Sequence, residues 1–201
     1  MYMSNIYFEK YAQLTLSLTD FGDSFVVADK PDLQDFEHNI GVEVVCVETP
    51  EEGIKRSVWN QFAGKGLTSN EFRDKFERED FRQSVIPDLE YMAMDGRHGN
   101  AKTLIVEMLD FIRRKNEKFT DYKQFEQNGL YLFNCHMFPE QIGDLQQKIF
   151  KEDFHFDFYI VNLINKLYII FKSGIIKEYN ISHEQLKSFK QEALEYEKNN
   201  Q

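Results

Sequence analysis

Two carboxylates open the chemical reading. Asp32 follows Pro31, and Glu43 sits inside the run Ile40-Gly41-Val42-Glu43-Val44-Val45-Cys46-Val47. A carboxylate set among β-branched neighbours leaves water at a cost of several kcal/mol unless a cation or hydrogen bonds compensate it. If Asp32 stands at the mouth of an adjacent strand, the pair can converge on a hard cation such as Mg²⁺ or Mn²⁺. Such an ion takes oxygen ligands and keeps waters that can be oriented or activated. Each residue also has a plainer reading. Pro-Asp starts many turns, as Pro87-Asp88 illustrates, and a buried Glu is as well served by a Lys or Arg partner as by a metal. Glu9 is available to the same acidic cluster, although a solvated helix face suits it better.

Other constellations carry less. Asp153, His155 and Asp157 alternate with Phe154, Phe156 and Phe158, the usual mark of the wet side of a sheet. Gly64-Lys65-Gly66 lacks the spacing and the following Ser or Thr of a phosphate-cradling loop. The five His residues show no paired spacing, and Cys135-His136 has no third partner, so a Cys nucleophile is not supported. Arg97 and His98 precede a helix whose positive end suits a phosphate, against the default of a surface loop.

The elements that must position Asp32 and Glu43 follow from periodicity. Ile6, Tyr7, Tyr11, Leu14 and Leu18 predict a helix over 6–18, and Ser24 to Ala28 a short strand followed by a turn or the start of a strand at 29–32. The Glu43 run is apolar on both faces and reads as a central strand, flanked by strands near 24–28 and 130–133. Thr49-Pro50-Glu51-Glu52 starts a helix to about Phe62, a charged helical stretch covers 68–81, and 83–100 is loop-like. The strongest helix opens at Asn100. Its stripe is Leu104, Ile105, Met108, Leu109 and Ile112, and it ends in Arg113, Arg114 and Lys115. A helix over 139–150, a strand running from the Phe154 alternation to Val161, and a strand over 167–171 turned back at Asn165-Lys166 follow. A last helix over 183–198, with little apolar surface, is expected to fray.

The chain has 201 residues, 42% hydrophobic, with 19 Phe. That is enough apolar surface for one ordered domain over 1–201, with a core over about 5–172. No stretch approaches the about 20 apolar residues of a membrane span, and the start of the chain lacks signal-peptide character. A cytoplasmic location, reduced thiols at Cys46 and Cys135, and no membrane partner are expected. The net charge of −10 disfavours broad attraction to nucleic acid, so contact with it requires a local site.

Lys30-Pro31-Asp32 and Ile40-Gly41-Val42-Glu43-Val44-Val45 resemble the motif of the PD-(D/E)xK nuclease superfamily, the second segment being similar to the "IGVEVT" strand of bacterial members. The order of helix, strand, Pro-Asp, Glu-bearing strand, helices and later strands is also similar to that fold. The resemblance implies an α/β, restriction-endonuclease-like fold with a mixed central β-sheet flanked by helices. It further implies Asp32 and Glu43 as ligands of Mg²⁺ or Mn²⁺ with a backbone carbonyl near Val44 assisting, and a metal-dependent phosphodiesterase acting on DNA or RNA. One position departs: the motif lysine falls at 45, where this chain has Val45. In some members a neighbouring helix supplies that group, and the candidates here are Lys55, Gln61, Lys65 and Lys102. The alternative is a non-catalytic relative, an accessory protein of a bacterium or phage that binds a protein partner. Val45 and the acidic charge favour the alternative, and the buried Glu43 favours the enzyme.

Overall fold

In the computed structural model, which describes residues 4–47, 101–133, 137–163 and 165–200, the β-prone runs assemble into one seven-stranded sheet whose spatial order follows the chain. Strands β1 (Val26–Val27), β2 (Leu33–Asp35) and β3 (Ile40–Cys46) form an antiparallel meander. Strand β4 (Gln127–Phe133) lies parallel to β3, and β5 (Phe158–Leu163) parallel to β4. Strands β6 (Lys166–Phe171) and β7 (Ile176–Asn180) return antiparallel. A parallel pair needs a crossover, and helix α2 (Ala101–Glu117) lies in the one between β3 and β4. Helices α1 (Asn5–Leu16), α3 (Ile142–Ile149) and α4 (His183–Asn199) complete an α/β fold with a mixed central sheet flanked by helices. All described residues belong to one unit, and among them no helix is long and apolar enough to cross a membrane.

The strand period of two splits the core into layers. Leu130 and Leu132 of β4 pack with Ile105, Met108, Leu109 and Ile112 of α2 and with Ile142, Leu145 and Ile149 of α3. Val42 and Val44 of β3, with Tyr131, pack with Ala12 and Leu16 of α1. Tyr131 places a hydroxyl in that second layer, where it is hydrogen-bonded to Thr15 Oγ1 (2.6 Å) and accepts from Asn162 Nδ2 (2.5 Å), so a buried polar atom is satisfied. Tyr7 and Tyr11 of α1 meet Ala193 of α4. Helix α4 does not hang free: Ser182 caps it, and Glu197, buried, accepts the backbone N–H of Ser4 at 2.5 Å.

Gly129 faces Phe158 across the β4–β5 ladder, and a Cβ on it would stand 2.2 Å from Cε2 of that ring. The ring is fully buried and cannot swing away. Gly129→Ala is therefore expected to lower stability by roughly 2 kcal/mol through overpacking. Thermal or urea melts check this, and an unchanged midpoint would refute the contact.

Several details differ from the expectations. The neighbour of β3 is β2, not the strand near 24–28, which lies one position further out. All three residues of β2 are buried, but Leu33-Gln34-Asp35 is too short and too polar to show a strand period. The ladder of β5 begins at Phe158 rather than at Phe154, and β7 was not expected because its residues are almost all exposed. The expected helices at 49–62 and 68–81 and the loop at 83–100 lie outside the described residues. So do Lys55, Gln61, Lys65, Arg97, His98, Cys135 and His136.

Candidate active site

The β2–β3 register pairs Leu33 with Val42, which sets Asp32, one residue before β2, opposite Glu43. The Asp32 side chain extends the ladder past its last backbone pair: Oδ2 accepts the Val44 N–H at 2.7 Å. Gly41 makes room for this junction. A Cβ there would stand 2.8 Å from Pro31 Cγ and 2.5 Å from Phe125 Cδ2, so only glycine lets Pro31 lie against β3 and carry Asp32 with it.

Glu43 alternates away from Val42 and Val44 and so faces the α2 layer. Its side chain is 8% exposed, and Oε1 accepts from Lys115 Nζ at 2.6 Å, whose side chain is 28% exposed. Oε2 is buried with no hydrogen-bond partner. Lys115 comes from the last turn of α2, where a cation also complements the helix dipole. The plainer reading of Glu43, a buried ion pair with a lysine, is thus realised for one of its oxygens, and the other keeps its lone pairs.

The local potential is negative. Burial, then the Glu43 charge, push the Asp32 carboxyl up to about 7, with Glu9 adding to the rise and the Val44 N–H and Lys115 opposing it. Glu9 on α1 is also raised, by burial first and then by Glu43 and Asp29. The Tyr122 phenol is raised by burial, by the Glu43 charge and by its hydroxyl's approach to the Glu43 carboxylate, so Tyr122 is a second neighbour of that side chain, although no hydrogen bond of normal length reaches Oε2. Three carboxylates therefore work against one ammonium.

Among the described residues no group of three or more His, Cys, Asp or Glu side chains is placed to hold a metal ion. The donor set that remains is Asp32 and Glu43, oxygen only. That set suits Mg²⁺ or Mn²⁺, which are held by one or two carboxylates and retain waters.

Val45 packs against the α2 layer and offers no cation. Lys115 is the cation that the structure brings to Glu43. Lys102 stands in the first turn of the same helix, roughly 20 Å along its axis at 1.5 Å per residue. The sequence did carry a signal for Lys115. It continues the stripe of Ile105, Met108 and Ile112 by one more helical step, so it had to face the sheet rather than solvent.

A Ser, a His and an Asp also meet at the β2–β3 turn, without the connectivity of a nucleophilic triad. Asp35, buried, accepts from Ser24 Oγ (2.5 Å), from His38 Nδ1 (2.8 Å) and from the backbone N–H groups of Glu37 (2.9 Å) and His38 (3.0 Å). The same His38 nitrogen serves the carboxylate, so the serine is not activated, and the cluster locks the turn. Asp157 accepts the Asn128 N–H at 2.8 Å, and His155 lies against the Phe119 ring.

No family model, no curated protein and no solved structure matches this chain.

Proposed function

We propose that this chain is a metal-dependent phosphodiesterase of the PD-(D/E)xK type that hydrolyses DNA or RNA, with Asp32 and Glu43 holding Mg²⁺ or Mn²⁺. Lys115 takes the part of the motif lysine missing at Val45. The observation that carries this reading is the convergence, on one strand junction, of Asp32, Glu43 with its unpartnered Oε2, and a lysine delivered by the crossover helix. The succession α1, three antiparallel strands, α2 and a parallel β4 supports a restriction-endonuclease-like reading of the fold.

When bound, the ion would polarise a phosphoryl oxygen and lower the pKa of a coordinated water. The protein's own groups have separate parts. The Val44 N–H fixes the direction of the Asp32 carboxylate. Lys115 holds Oε1 of Glu43 and leaves Oε2 without a partner, and its ammonium would stabilise negative charge growing on a phosphate. Burial of the pair keeps these charges from being screened by solvent.

The second reading, a non-catalytic relative that binds a protein partner, draws on the same ion pair, since a Glu43 neutralised by Lys115 has less need of a cation. The two diverge in a cleavage assay. Purified protein with plasmid, duplex and single-stranded oligonucleotides in Mg²⁺ or Mn²⁺ is expected to cut, and to stop in EDTA. Absence of metal-dependent cleavage on all of these substrates would leave the non-catalytic reading.

A further inference from the structure

The turn joining β2 to β3 carries Phe36, which is 61% exposed. Lys123 Nζ lies 4.3 Å from the centroid of that ring and 5.1 Å from that of Phe125, and the two rings are 6.0 Å apart. This cluster is tied to the candidate site by short links. The Lys123 N–H donates to the carbonyl of Lys30 at 2.9 Å, two residues before Asp32, and Phe125 shares with Pro31 the space over Gly41. From Asp32 to Phe36 the chain runs about 13 Å at strand rise, within the span of a few nucleotides.

An exposed aromatic ring with an ammonium over one face, its other face left for a ligand, suits a group that has both a flat apolar face and a negative charge. The unpaired base of a nucleic acid, with its phosphate, has both. In a duplex the base faces are covered by their neighbours, whereas in a single strand they are free to stack on a side chain. The acidic surface of the chain, with its net charge of −10, repels a polyanion elsewhere and leaves local cationic points such as Lys123 and Lys30 to receive it.

We propose that Phe36 and Lys123 form a landing for an unpaired nucleotide of a single-stranded nucleic acid, the ring stacking on the base and the ammonium meeting a phosphate. The strand is thereby laid toward Asp32, Glu43 and Lys115. The inference rests on the nuclease reading for what happens at those three residues, but the binding itself does not depend on it.

The test is fluorescence anisotropy with labelled 12-nucleotide DNA and RNA strands and the DNA duplex of the same sequence, in Ca²⁺. Single strands are expected to bind about tenfold more tightly than the duplex. Phe36→Ala should weaken them about tenfold, and Phe36→Trp should restore the affinity. Lys123→Gln should weaken binding and make its salt dependence shallower by about one counterion. Thermal melts confirm that the variants fold. Duplex binding as tight as single-strand binding, an affinity unmoved by Phe36→Ala, or no binding of any strand would each overturn the proposal. Phe36-dependent binding without metal-dependent cleavage would uphold the landing and remove the nuclease.

Discussion

Glu43→Gln is expected to lower metal-dependent cleavage by on the order of a thousandfold while leaving the melting temperature nearly unchanged. The amide keeps the shape and an acceptor for Lys115 but loses the charge that a metal ligand needs. Lys115→Met should be as damaging to cleavage and far more damaging to the fold. Glu43 is 8% exposed and cannot reach water, whereas Lys115 is 28% exposed on a flexible stem. Removing the lysine strands a buried carboxylate beside Asp32, at a cost on the order of 3 kcal/mol. The double variant Glu43→Gln/Lys115→Met should recover most of that loss, because no uncompensated charge remains. Mn²⁺ should also recover part of it in Lys115→Met alone, since the cation then takes over the role of the ammonium. Denaturant melts of the four proteins, with and without Mn²⁺, supply the cycle. Cleavage unaffected by either single change would place the chemistry elsewhere, and a Lys115→Met variant as stable as the parent would show that Glu43 is not held as described.

Asp32→Asn is expected to stabilise the metal-free protein at pH 8 and to have little effect at pH 4. The folded carboxyl titrates near 7 rather than at 3.8, so between those values the native state holds a proton that the unfolded chain has released. The Asp32 contribution to stability is therefore most favourable below about pH 4, falls as pH rises toward 7, and is level above. At about 1.4 kcal/mol per pH unit the window is worth on the order of 4 kcal/mol. Asparagine removes the charge that burial and Glu43 oppose and keeps an oxygen for the Val44 N–H. Urea melts in EDTA across pH 4 to 8 should show the parent losing stability relative to the variant as pH rises. Addition of Mg²⁺ at pH 8 should then stabilise the parent and not the variant, and cleavage by the variant should be lost. A variant that is destabilised at pH 8 would mean that Asp32 is not under negative strain from its neighbours.

Much of this protein is legible in its residues. The apolar run around Glu43 dictates an interior strand because only a strand covered on both faces hides Val42, Val44 and Val45 together, and β3 is such a strand. The stripe of α2 and the antiparallel return of β6 follow from period and turn chemistry alone, whereas the docking of α4, expected to fray, does not. So does the need of Glu43 for a partner, which is a matter of desolvation and not of topology. Which partner it meets was decided only by the tertiary structure. The stripe of α2 turns Lys115 toward the sheet, but it reaches Glu43 because the crossover helix ends over β3, a packing outcome that the stripe does not encode. The same holds for β2, whose three residues are strand only because β1 and β3 supply hydrogen-bond partners on both sides. It holds as well for Phe36, Lys123 and Phe125, distant along the chain and gathered beside Asp32 because glycine at 41 lets Pro31 and an aromatic ring close on the strand. Burial needs are properties of single residues and short periods, whereas the identity of the compensating group depends on which surfaces the whole sheet brings together.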